Sequence, residues 1–448
     1  MNRKSKLTLW LAMTMLFVLL AGCAGGGAEE PAGTAGGTDA PAPKPETPKP
    51  ADAGTGEKVK VEFWHSLGGK NGEFIDAMIQ RFNSSQDGIE VVGTFQGNYD
   101  ETVTKLQQAI PAGTAPDLSM VERAYVELFA DAEVLEDLKP YLESSGMSES
   151  DFVAGLMGHS TFHGKLVSLP LNRSTPILHV NKTMLDENGL SVPATWEELK
   201  TVANALVVKE GDQITRYGYT MPYDTWYPIA MITQANGTFF NEDNTSIGFF
   251  DNGVGEKVFS FLKEMQSTGA LYYPPAQDSG SITNQMFVEG KVGMMFQSTG
   301  AIGGLMSNVD FEYVTAFLPQ DEKYANPTGG ANIVMLSDAK QKEAAWEFVR
   351  WMMNEPEGAL QFVVDTGYLP FMAKMVESQL IQDLWAKEPN RKVAYDQLAH
   401  AVDTNKDVAW PEIMHEFFAA IEAIMYDSQD IRTTLDSFRG ETERILAQ

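Results

Sequence analysis

The chain has 448 residues, of which 43% are hydrophobic, so it can bury the cores of two domains. Its formal charge of −28 at pH 7 repels the phosphates of nucleic acids and of anionic lipids, which argues against a nucleic-acid partner. The only cysteine, Cys23, has no second cysteine to pair with, so stability must come from packing rather than from intramolecular disulfides.

The N-terminus has the pattern of a bacterial lipoprotein signal. Three basic residues precede a short apolar stretch, which ends in Leu20-Ala21-Gly22-Cys23. We expect residues 1–22 to be removed as a signal peptide and Cys23 to become the acylated first residue. The alternatives are a transmembrane helix over residues 7–21 or a plain secretory signal. The stretch is short for a span that needs about 20 residues, and no positively charged stop follows it.

Residues 23–57 form a predicted linker. After Cys23 the segment contains eight Gly, eight Ala and six Pro, and it has no apolar period that could build a core. Removal of a signal peptide with three basic and no acidic residues changes the formal charge from −28 to −31. A folded part tethered in this way can reach a membrane partner without lying in the membrane.

The first part of residues 58–448 alternates between strand and helix patterns. Alternating apolar residues predict a strand over 58–63, and apolar residues four apart predict a helix that contains Phe74, Met78 and Phe82. The pattern then predicts a strand over 89–92, a helix over 102–110 and a strand over 115–120. Such alternation favours a mostly parallel α/β sheet.

The second part of the chain is richer in helix patterns. A predicted hairpin over 162–170 leads into a strand, and Thr195 is placed to cap a helix that begins at Trp196. Short strands are predicted over 292–296 and 332–336. The sequence has no repeat with a period of about 20–50 residues. Two interleaved α/β lobes therefore suit the pattern better than a solenoid.

No catalytic motif is complete. The segment Gly158-His159-Ser160-Thr161-Phe162 lacks the second glycine of a nucleophile elbow. His159 and His163 lack the glutamate of a zinc-binding helix, so we expect a solvated or hairpin-edge pair. Neither Gly300-Ala301-Ile302-Gly303 nor Gly329-Gly330 continues into the Gly-Lys-Ser/Thr of a nucleotide-binding loop. We therefore predict no catalytic residue, no metal site and no cofactor.

Polar and aromatic residues instead occupy loops next to predicted strand ends, where open α/β sheets bind ligands. They are Gly97-Asn98-Tyr99, Val121-Glu122, the segment 172–176, the segment 297–300, and the cluster of Tyr223, Trp226 and Tyr227. Each of these alone is better explained as a turn, a helix cap or a partly buried aromatic residue. Together they indicate a site that offers hydroxyl partners and aromatic faces to a small ligand.

The order of these motifs resembles one family over nearly all of residues 58–448. The motifs are Phe63-Trp64-His65-Ser66, Arg81-Phe82-Asn83, Gly97-Asn98-Tyr99, Ala115-Pro116-Asp117, Asn172-Arg173-Ser174-Thr175-Pro176, Gly329-Gly330-Ala331-Asn332 and Thr366-Gly367-Tyr368-Leu369-Pro370. Each motif is weak alone, but so many in the same order are a strong signal. The chain resembles the family 1 extracellular solute-binding proteins of ABC importers, and especially their glycerol-3-phosphate-binding type.

This resemblance implies an α/β, two-lobed periplasmic-binding-protein-like fold of type II, similar to maltose-binding protein, with several crossovers between the lobes. We expect an N-terminal lobe of residues 58–172 plus 300–365 and a C-terminal lobe of residues 173–299 plus 366–448. A ligand would be enclosed between the lobes by hinge closure and delivered to the transmembrane subunits of an ABC permease. The expected protein is a monomer, held by its lipid on the extracellular face of the cell membrane.

The resemblance also implies a set of ligand-binding residues. They are Tyr99, Glu122, Ser174, Ser298, Thr299, Gly330 and Tyr368. The glutamate would accept hydrogen bonds from ligand hydroxyls, and the serine with the N–H groups that follow it would face phosphate oxygens. The two tyrosines would supply hydroxyl donors and ring faces.

One segment departs from the family pattern. The glycerol-3-phosphate-binding type has an arginine in a Pro-Gln-Ile-Arg segment, whereas this chain has Pro411-Glu412-Ile413-Met414. A missing guanidinium removes the donor that best matches phosphate. Arg173 is a candidate to supply the charge instead, while Trp226 and Glu122 suit an uncharged sugar. The ligand class therefore stays open between a phosphorylated polyol and a sugar.

Two further functions stay open from the sequence. A secreted carbohydrate-active hydrolase would release product and depend on one acid or nucleophile. A lipoprotein that acts as a sensor or scaffold would show neither turnover nor ligand delivery. A receptor would instead show saturable stabilisation by a ligand without turnover.

Overall fold

The computed structural model describes residues 57–402 and 407–448. The signal peptide, Cys23 and nearly all of the predicted linker lie outside the described residues. The strands are β1 Val59–His65, β2 Ile89–Phe95, β3 Leu118–Glu122, β4 Thr161–Phe162, β5 Lys165–Leu166, β6 Leu169–Pro170, β7 Pro176–Asn181, β8 Val208–Glu210, β9 Gln213–Thr220, β10 Leu271–Tyr272, β11 Val292–Ser298, β12 Tyr313–Ala316, β13 Asn326–Pro327, β14 Ala331–Met335 and β15 Ala401–Val402.

Helices separate and cover these strands. They are α1 Gly69–Ser85, α2 Tyr99–Ala112, α3 Val126–Asp131, α4 Lys139–Ser144, α5 Lys182–Glu187, α6 Trp196–Ala205, α7 Trp226–Gln234, α8 Val254–Thr268, α9 Ser279–Val288, α10 Ile302–Asn308, α11 Lys342–Asn354, α12 Gln361–Thr366, α13 Ala373–Glu377, α14 Gln379–Lys387, α15 Pro389–Asp396, α16 Trp410–Met425 and α17 Ile431–Leu446. Among the described residues, no helix is long and apolar enough to cross a membrane.

The first sheet has the strand order β2-β1-β3-β14-β6. Strands β1, β2 and β3 run parallel, and β14 is antiparallel to β3 and β6. Alternate residues of β1, Val61 and Phe63, are fully buried, as the alternating pattern predicts. Helix α1 packs Met78 and Phe82 into the same core, which confirms the predicted strand and helix. This core, called the first core below, also contains Phe348 of α11.

The second sheet has the strand order β10-β9-β11-β7-β12, with β8 paired to β9. Strand β7 is antiparallel to both of its neighbours, β11 and β12, while β9 is parallel to β10 and β11. Every residue of β7 is buried, so this strand has no alternating pattern that could predict it. The second core, around this sheet, contains Leu178, Tyr219 and Phe417.

The sheets differ from the sequence-based expectation in two ways. The expected mostly parallel pairing holds for β1, β2 and β3, but the second sheet is mixed because β7 joins it antiparallel. Strand β12, expected in the N-terminal lobe, pairs with β7 of the second sheet. Residues 369–394, expected in the C-terminal lobe, pack into the first core instead. The lobe boundaries stay a prediction. We propose to assign β12 to the C-terminal lobe and residues 369–394 to the N-terminal lobe.

Two segments, 171–175 and 326–330, cross from one sheet to the other, and a third segment, 367–370, lies against the first. The three are called the crossing segments below. The first joins β6 to β7, and the second leads from β12 to β14. Ser174 and Gly329 bind each other as an antiparallel pair, with N–H to O distances of 3.1 and 2.7 Å. The third segment is bound to the first by Leu369 N–H, which donates to Arg173 O at 2.8 Å.

Local signals place other elements correctly. Thr195 caps α6, accepting from Glu198 N–H while the Glu198 side chain accepts from Thr195 N–H, as the sequence predicts. Strands β4 and β5 form the predicted hairpin, and β11 and β14 contain the predicted short strands. Asn98 caps α2 in the same reciprocal way with Glu101, which fixes Tyr99 in the first turn of that helix.

Candidate ligand-binding site

A cavity of about 830 Å³ lies where the crossing segments meet the ends of the strands. This volume is within the range of small-molecule sites. Its walls come from residues of both sheets, the crossing segments and helices α7, α9 and α16. The lining residues used below are Asn98, Tyr99, Asp100, Glu122, Arg123, Tyr125, Ser174, Tyr223, Asp224, Trp226, Asp278, Gln297, Ser298, Gly329, Gly330, Tyr368, Trp410, Met414, His415 and Phe418.

The cavity brings together most of the residues that the sequence predicts as ligand-binding. Those that line it are Tyr99, Glu122, Ser174, Trp226, Ser298, Gly330 and Tyr368. Thr299 and Arg173 do not line it, and both are fully buried. That the lining residues contact a ligand stays a prediction.

Arg173 lies behind the wall of the cavity. Its guanidinium donates to Asn332 Oδ1 and to Thr328 Oγ1, both at 2.9 Å. The crossing segment is extended here, so successive side chains point to opposite sides and Ser174 faces the cavity while Arg173 does not. We therefore do not propose Arg173 as the cation for a phosphate.

Two aromatic rings rest on glycines of the crossing segments and neighbouring turns. A methyl group added to Gly329 would lie 2.5 Å from the Trp226 ring, and one added to Gly300 would lie 2.5 Å from the Tyr368 ring. Because glycine has no side chain, these rings can lie close to the backbone beside the cavity. The indole N–H of Trp226 is buried and has no hydrogen-bond partner within the described part of the chain.

Among the tyrosines that line the cavity, Tyr99 and Tyr368 have hydroxyls that accept hydrogen bonds from asparagine side chains. Asn172 Nδ2 donates to Tyr99 Oη at 2.7 Å, and Asn71 Nδ2 donates to Tyr368 Oη at 3.3 Å. Burial raises the pKa of both phenols, so both keep their protons at neutral pH.

Four carboxylates face the cavity, namely Asp100, Glu122, Asp224 and Asp278. Glu122 ends β3 and accepts from Ala124 N–H at 2.7 Å, which caps the turn that follows. Asp100 accepts from Tyr125 Oη at 2.6 Å. Asp224 accepts from Trp226 N–H at 2.8 Å, so it holds the first turn of α7. These oxygens can accept hydrogen bonds from ligand hydroxyls.

The carboxylates influence one another across the cavity. Burial raises the pKa of Asp224 to about 6, and the charges of Asp100 and Glu122 add to this effect. Hydrogen bonds from the backbone N–H groups of Trp226 and Thr225 act in the opposite direction. The region around Asp224 is therefore unfavourable for additional negative charge.

Among residues 57–402 and 407–448, Arg123 is the only lysine or arginine that lines the cavity, and its guanidinium binds protein groups. Nε donates to Thr328 O at 2.6 Å, and Nη1 donates to His159 Nε2 at 2.8 Å. Because the guanidinium can only donate, His159 must carry its proton on Nδ1, which donates to Glu127 at 2.8 Å. Met414 lines the cavity in the segment where the family pattern has arginine.

The incomplete catalytic motifs do not assemble a site. His159 and Ser160 are buried outside the cavity lining, and Ser160 accepts from Asn332 Nδ2 at 3.4 Å. The expectation of a solvated or hairpin-edge histidine pair is correct for His163, which is exposed in the β4–β5 turn, and wrong for His159. Within residues 57–402 and 407–448, no group of three or more His, Cys, Asp or Glu side chains could hold a metal ion.

Sequence reasoning missed several lining residues. Asp100 adjoins Tyr99 and Asp224 adjoins Tyr223, both of which the sequence singles out, but carboxylates are too common in this chain to stand out. Trp410, Met414, His415 and Phe418 follow an i, i+4, i+5, i+8 pattern on α16, and this helix spacing was the available signal.

The family model for bacterial extracellular solute-binding proteins matches residues 77–391, which is more than half of the chain. The sn-glycerol-3-phosphate-binding periplasmic protein UgpB of Escherichia coli O1:K1 is 25% identical over 360 residues, which cover 75% of this chain and 80% of that protein.

Solved structures agree on the fold. UgpB from Mycobacterium tuberculosis, in complex with glycerophosphocholine, matches with a TM-score of 0.78 and 22% identity over 87% of this chain and 99% of that one. The maltose/maltodextrin-binding domain MalE from Bdellovibrio bacteriovorus, bound to maltotriose, matches with a TM-score of 0.77 and 16% identity over 87% and 100%. The fold is that of maltose-binding-protein-like receptors, and the chain belongs to the bacterial extracellular solute-binding protein family.

Proposed function

We propose that this protein is the receptor of an ABC importer and that it captures an uncharged carbohydrate in the cavity. The observation that carries the proposal is the charge of the lining, to which the described part of the chain contributes four carboxylates and one guanidinium that is bound to protein groups. A phosphomonoester would bring up to two negative charges next to these carboxylates. A sugar brings hydroxyls, which carboxylates bind well.

The aromatic residues support the same ligand class. Trp226, Tyr99 and Tyr368 offer ring faces to the apolar faces of a sugar. MalE from B. bacteriovorus, which has the same fold, is bound to maltotriose. We therefore name an oligosaccharide of about two or three units as the ligand, since the cavity measures about 830 Å³.

A glycerophosphodiester is the second candidate. It is favoured by the UgpB relatives, whose names state glycerol 3-phosphate and, for the M. tuberculosis protein, whose structure contains glycerophosphocholine. A phosphodiester carries one negative charge, half that of a fully ionised phosphomonoester. The hydroxyl donors of Tyr99 and Tyr368 could bind it without a new cation.

The remaining parts of the proposal concern delivery. The crossing segments would act as the hinge, so that the two sheets close on the ligand and a permease reads the closed form. Such a receptor works as a monomer and performs no catalysis. Acylated Cys23 would hold it at the extracellular face of the cell membrane.

The ligand test is a thermal-shift panel on the protein without residues 1–22 and with Cys23→Ser. We expect maltotriose or a similar oligosaccharide to raise the melting temperature in a saturable manner, and glycerol 3-phosphate to have no effect. A ligand at about 100 times its Kd should add roughly 2.7 kcal/mol to the free energy of unfolding. Stabilisation by glycerophosphocholine alone would instead support the second candidate, and release of product from any sugar would support a hydrolase.

The proposed acylation of Cys23 can be tested separately from ligand binding. Mass spectrometry of the N-terminal peptide from the native host should show a diacylglyceryl group on Cys23. The Cys23→Ser protein should appear in the medium rather than in the membrane fraction. An unmodified Cys23, or a Cys23→Ser protein that stays with the membrane, would contradict lipid anchoring.

A further inference from the structure

Asn172 is a buried side chain that touches the cavity wall but does not line the cavity. It lies in the first crossing segment and is fully buried. Its side chain joins two parts of the molecule, because Nδ2 donates to Tyr99 Oη at 2.7 Å and Oδ1 accepts from Ala331 N–H at 2.9 Å.

The orientation of the Asn172 amide is fixed by chemistry. A backbone N–H can only donate, so the amide atom next to Ala331 N–H must be the oxygen. The amide nitrogen must then face Tyr99. Because an amide nitrogen can only donate, Tyr99 Oη is the acceptor in this hydrogen bond.

The same polarity applies to Tyr368. Asn71 Nδ2 donates to Tyr368 Oη at 3.3 Å and also to Gly300 O at 3.3 Å. Its second acceptor is a carbonyl oxygen, so the amide nitrogen faces both groups. Among the described residues, no protein group accepts the proton of either phenol.

We propose that Asn172 is a positioning residue that makes Tyr99 a hydrogen-bond donor toward the cavity, and that Asn71 does the same for Tyr368. This end of the cavity therefore selects a ligand oxygen that accepts, such as a sugar ring oxygen, a glycosidic oxygen or a phosphate oxygen. The carboxylates Glu122 and Asp224 can only accept when ionised, so they select ligand groups that donate. The inference deepens the proposed function, because it gives the cavity one donor end and one acceptor end.

The substitution Asn172→Asp tests this polarity with almost no change in shape. One carboxylate oxygen can still accept from Ala331 N–H, but the other can only accept where Nδ2 donated. The proton of Tyr99 must then turn toward the new carboxylate and away from the cavity. We expect the affinity for maltotriose, or for glycerophosphocholine if that is the probe that binds, to fall at least tenfold.

A double-mutant cycle separates positioning from general damage. In the Tyr99→Phe/Tyr368→Phe background the phenol protons are absent, so Asn172→Asp should change the affinity for the same probe less than threefold. An equal loss of affinity in both backgrounds would overturn the proposal. Melting temperatures of all variants without probe report whether each one folds.

A spectroscopic measurement tests the polarity without any ligand. In Raman spectra, the intensity ratio of the tyrosine doublet is low for a phenol that only donates a hydrogen bond and higher for one that also accepts. The difference spectrum between wild type and Tyr99→Phe should show the higher ratio, because Tyr99 accepts from Asn172. A low ratio would overturn the proposal even if Asn172→Asp fails to fold. If neither probe binds, the proposed function fails while this ratio still decides the polarity.

Discussion

Asp224 is an aspartate whose ionisation is disfavoured by its position in the cavity wall. Its pKa is raised from 3.8 to about 6 in the folded protein, mainly by burial. The folded state therefore binds this proton more tightly than the unfolded state does. As pH rises from about 4 to about 6, the contribution of Asp224 to the free energy of unfolding falls. Above that range the ionised Asp224 destabilises the folded state by a constant amount.

The substitution Asp224→Asn should remove this penalty. The amide oxygen can still accept from Trp226 N–H, so the first turn of α7 is kept. We expect the melting temperature to rise relative to wild type at about pH 8 and to be nearly equal at about pH 3, where Asp224 is mostly protonated in both states. Asp243→Asn, in an exposed turn, is the control. A gain of the same size at both pH values would show that charge is not the cause.

The sequence motif around Arg173 could not predict the direction in which its side chain points. The motif identifies the segment correctly, since Ser174 lines the cavity, but it does not say which side chains of an extended segment face inward. That depends on the register of the pairing between Ser174 and Gly329, two segments more than 150 residues apart. The carboxylate environment of Asp224 has the same origin, because Asp100 and Glu122 approach it only in the folded protein.

At the scale of elements, the side chain of Arg173 stabilises the crossing segments by hydrogen bonds. Its guanidinium binds Asn332 and Thr328, so Arg173→Met should leave two buried acceptors without donors, each at a cost of about 1–3 kcal/mol. We expect the free energy of unfolding, measured with denaturant, to fall by at least about 2 kcal/mol. The control Arg432→Met, on an exposed face of α17, should lose less than about 1 kcal/mol. An unchanged stability with weaker ligand binding would restore Arg173 as a ligand residue.

Helix α16 supplies one wall of the cavity and carries the departure from the family pattern. Met414→Arg adds a guanidinium to the lining of the cavity, where the described part of the chain otherwise provides only that of Arg123. We expect the affinity for glycerol 3-phosphate, measured by calorimetry, to rise at least tenfold, because a guanidinium can bind phosphate with two hydrogen bonds. Met425→Arg, also buried on α16 but outside the cavity lining, is the matched control. No gain at position 414 would mean that this side chain does not set the ligand class.

Elements with a local signal could be predicted from the sequence. Strand β1 has alternating burial, α1 has apolar residues on one face, and α6 has a capping box. Strand β7 could not be predicted, because burial on both faces removes the alternation. Its position between β11 and β12 is set by antiparallel pairing over long sequence separations, which leaves no local trace.

At the scale of the whole molecule, the two cores and the crossing segments explain how a cavity with mixed walls arises. The first core holds β1, β3 and β14, whose ends carry Glu122 and Gly330, and the second core holds β11 and α7, whose ends carry Ser298 and Trp226. The sequence predicted two α/β lobes, and most of the residues that it predicts as ligand-binding line the cavity. It did not predict the charge balance of the lining, on which the proposed ligand class depends.

The most direct measurement is a calorimetric titration of maltotriose and of glycerol 3-phosphate at low and high ionic strength. Between ~0.01 and ~1 M salt the Debye length falls from ~30 to ~3 Å, which weakens the binding of a charged ligand but hardly affects that of a neutral one. We predict saturable binding of maltotriose, with a Kd that changes less than about twofold over this range, and no binding of glycerol 3-phosphate. Binding of glycerol 3-phosphate alone, with a Kd that rises with salt, would contradict the account.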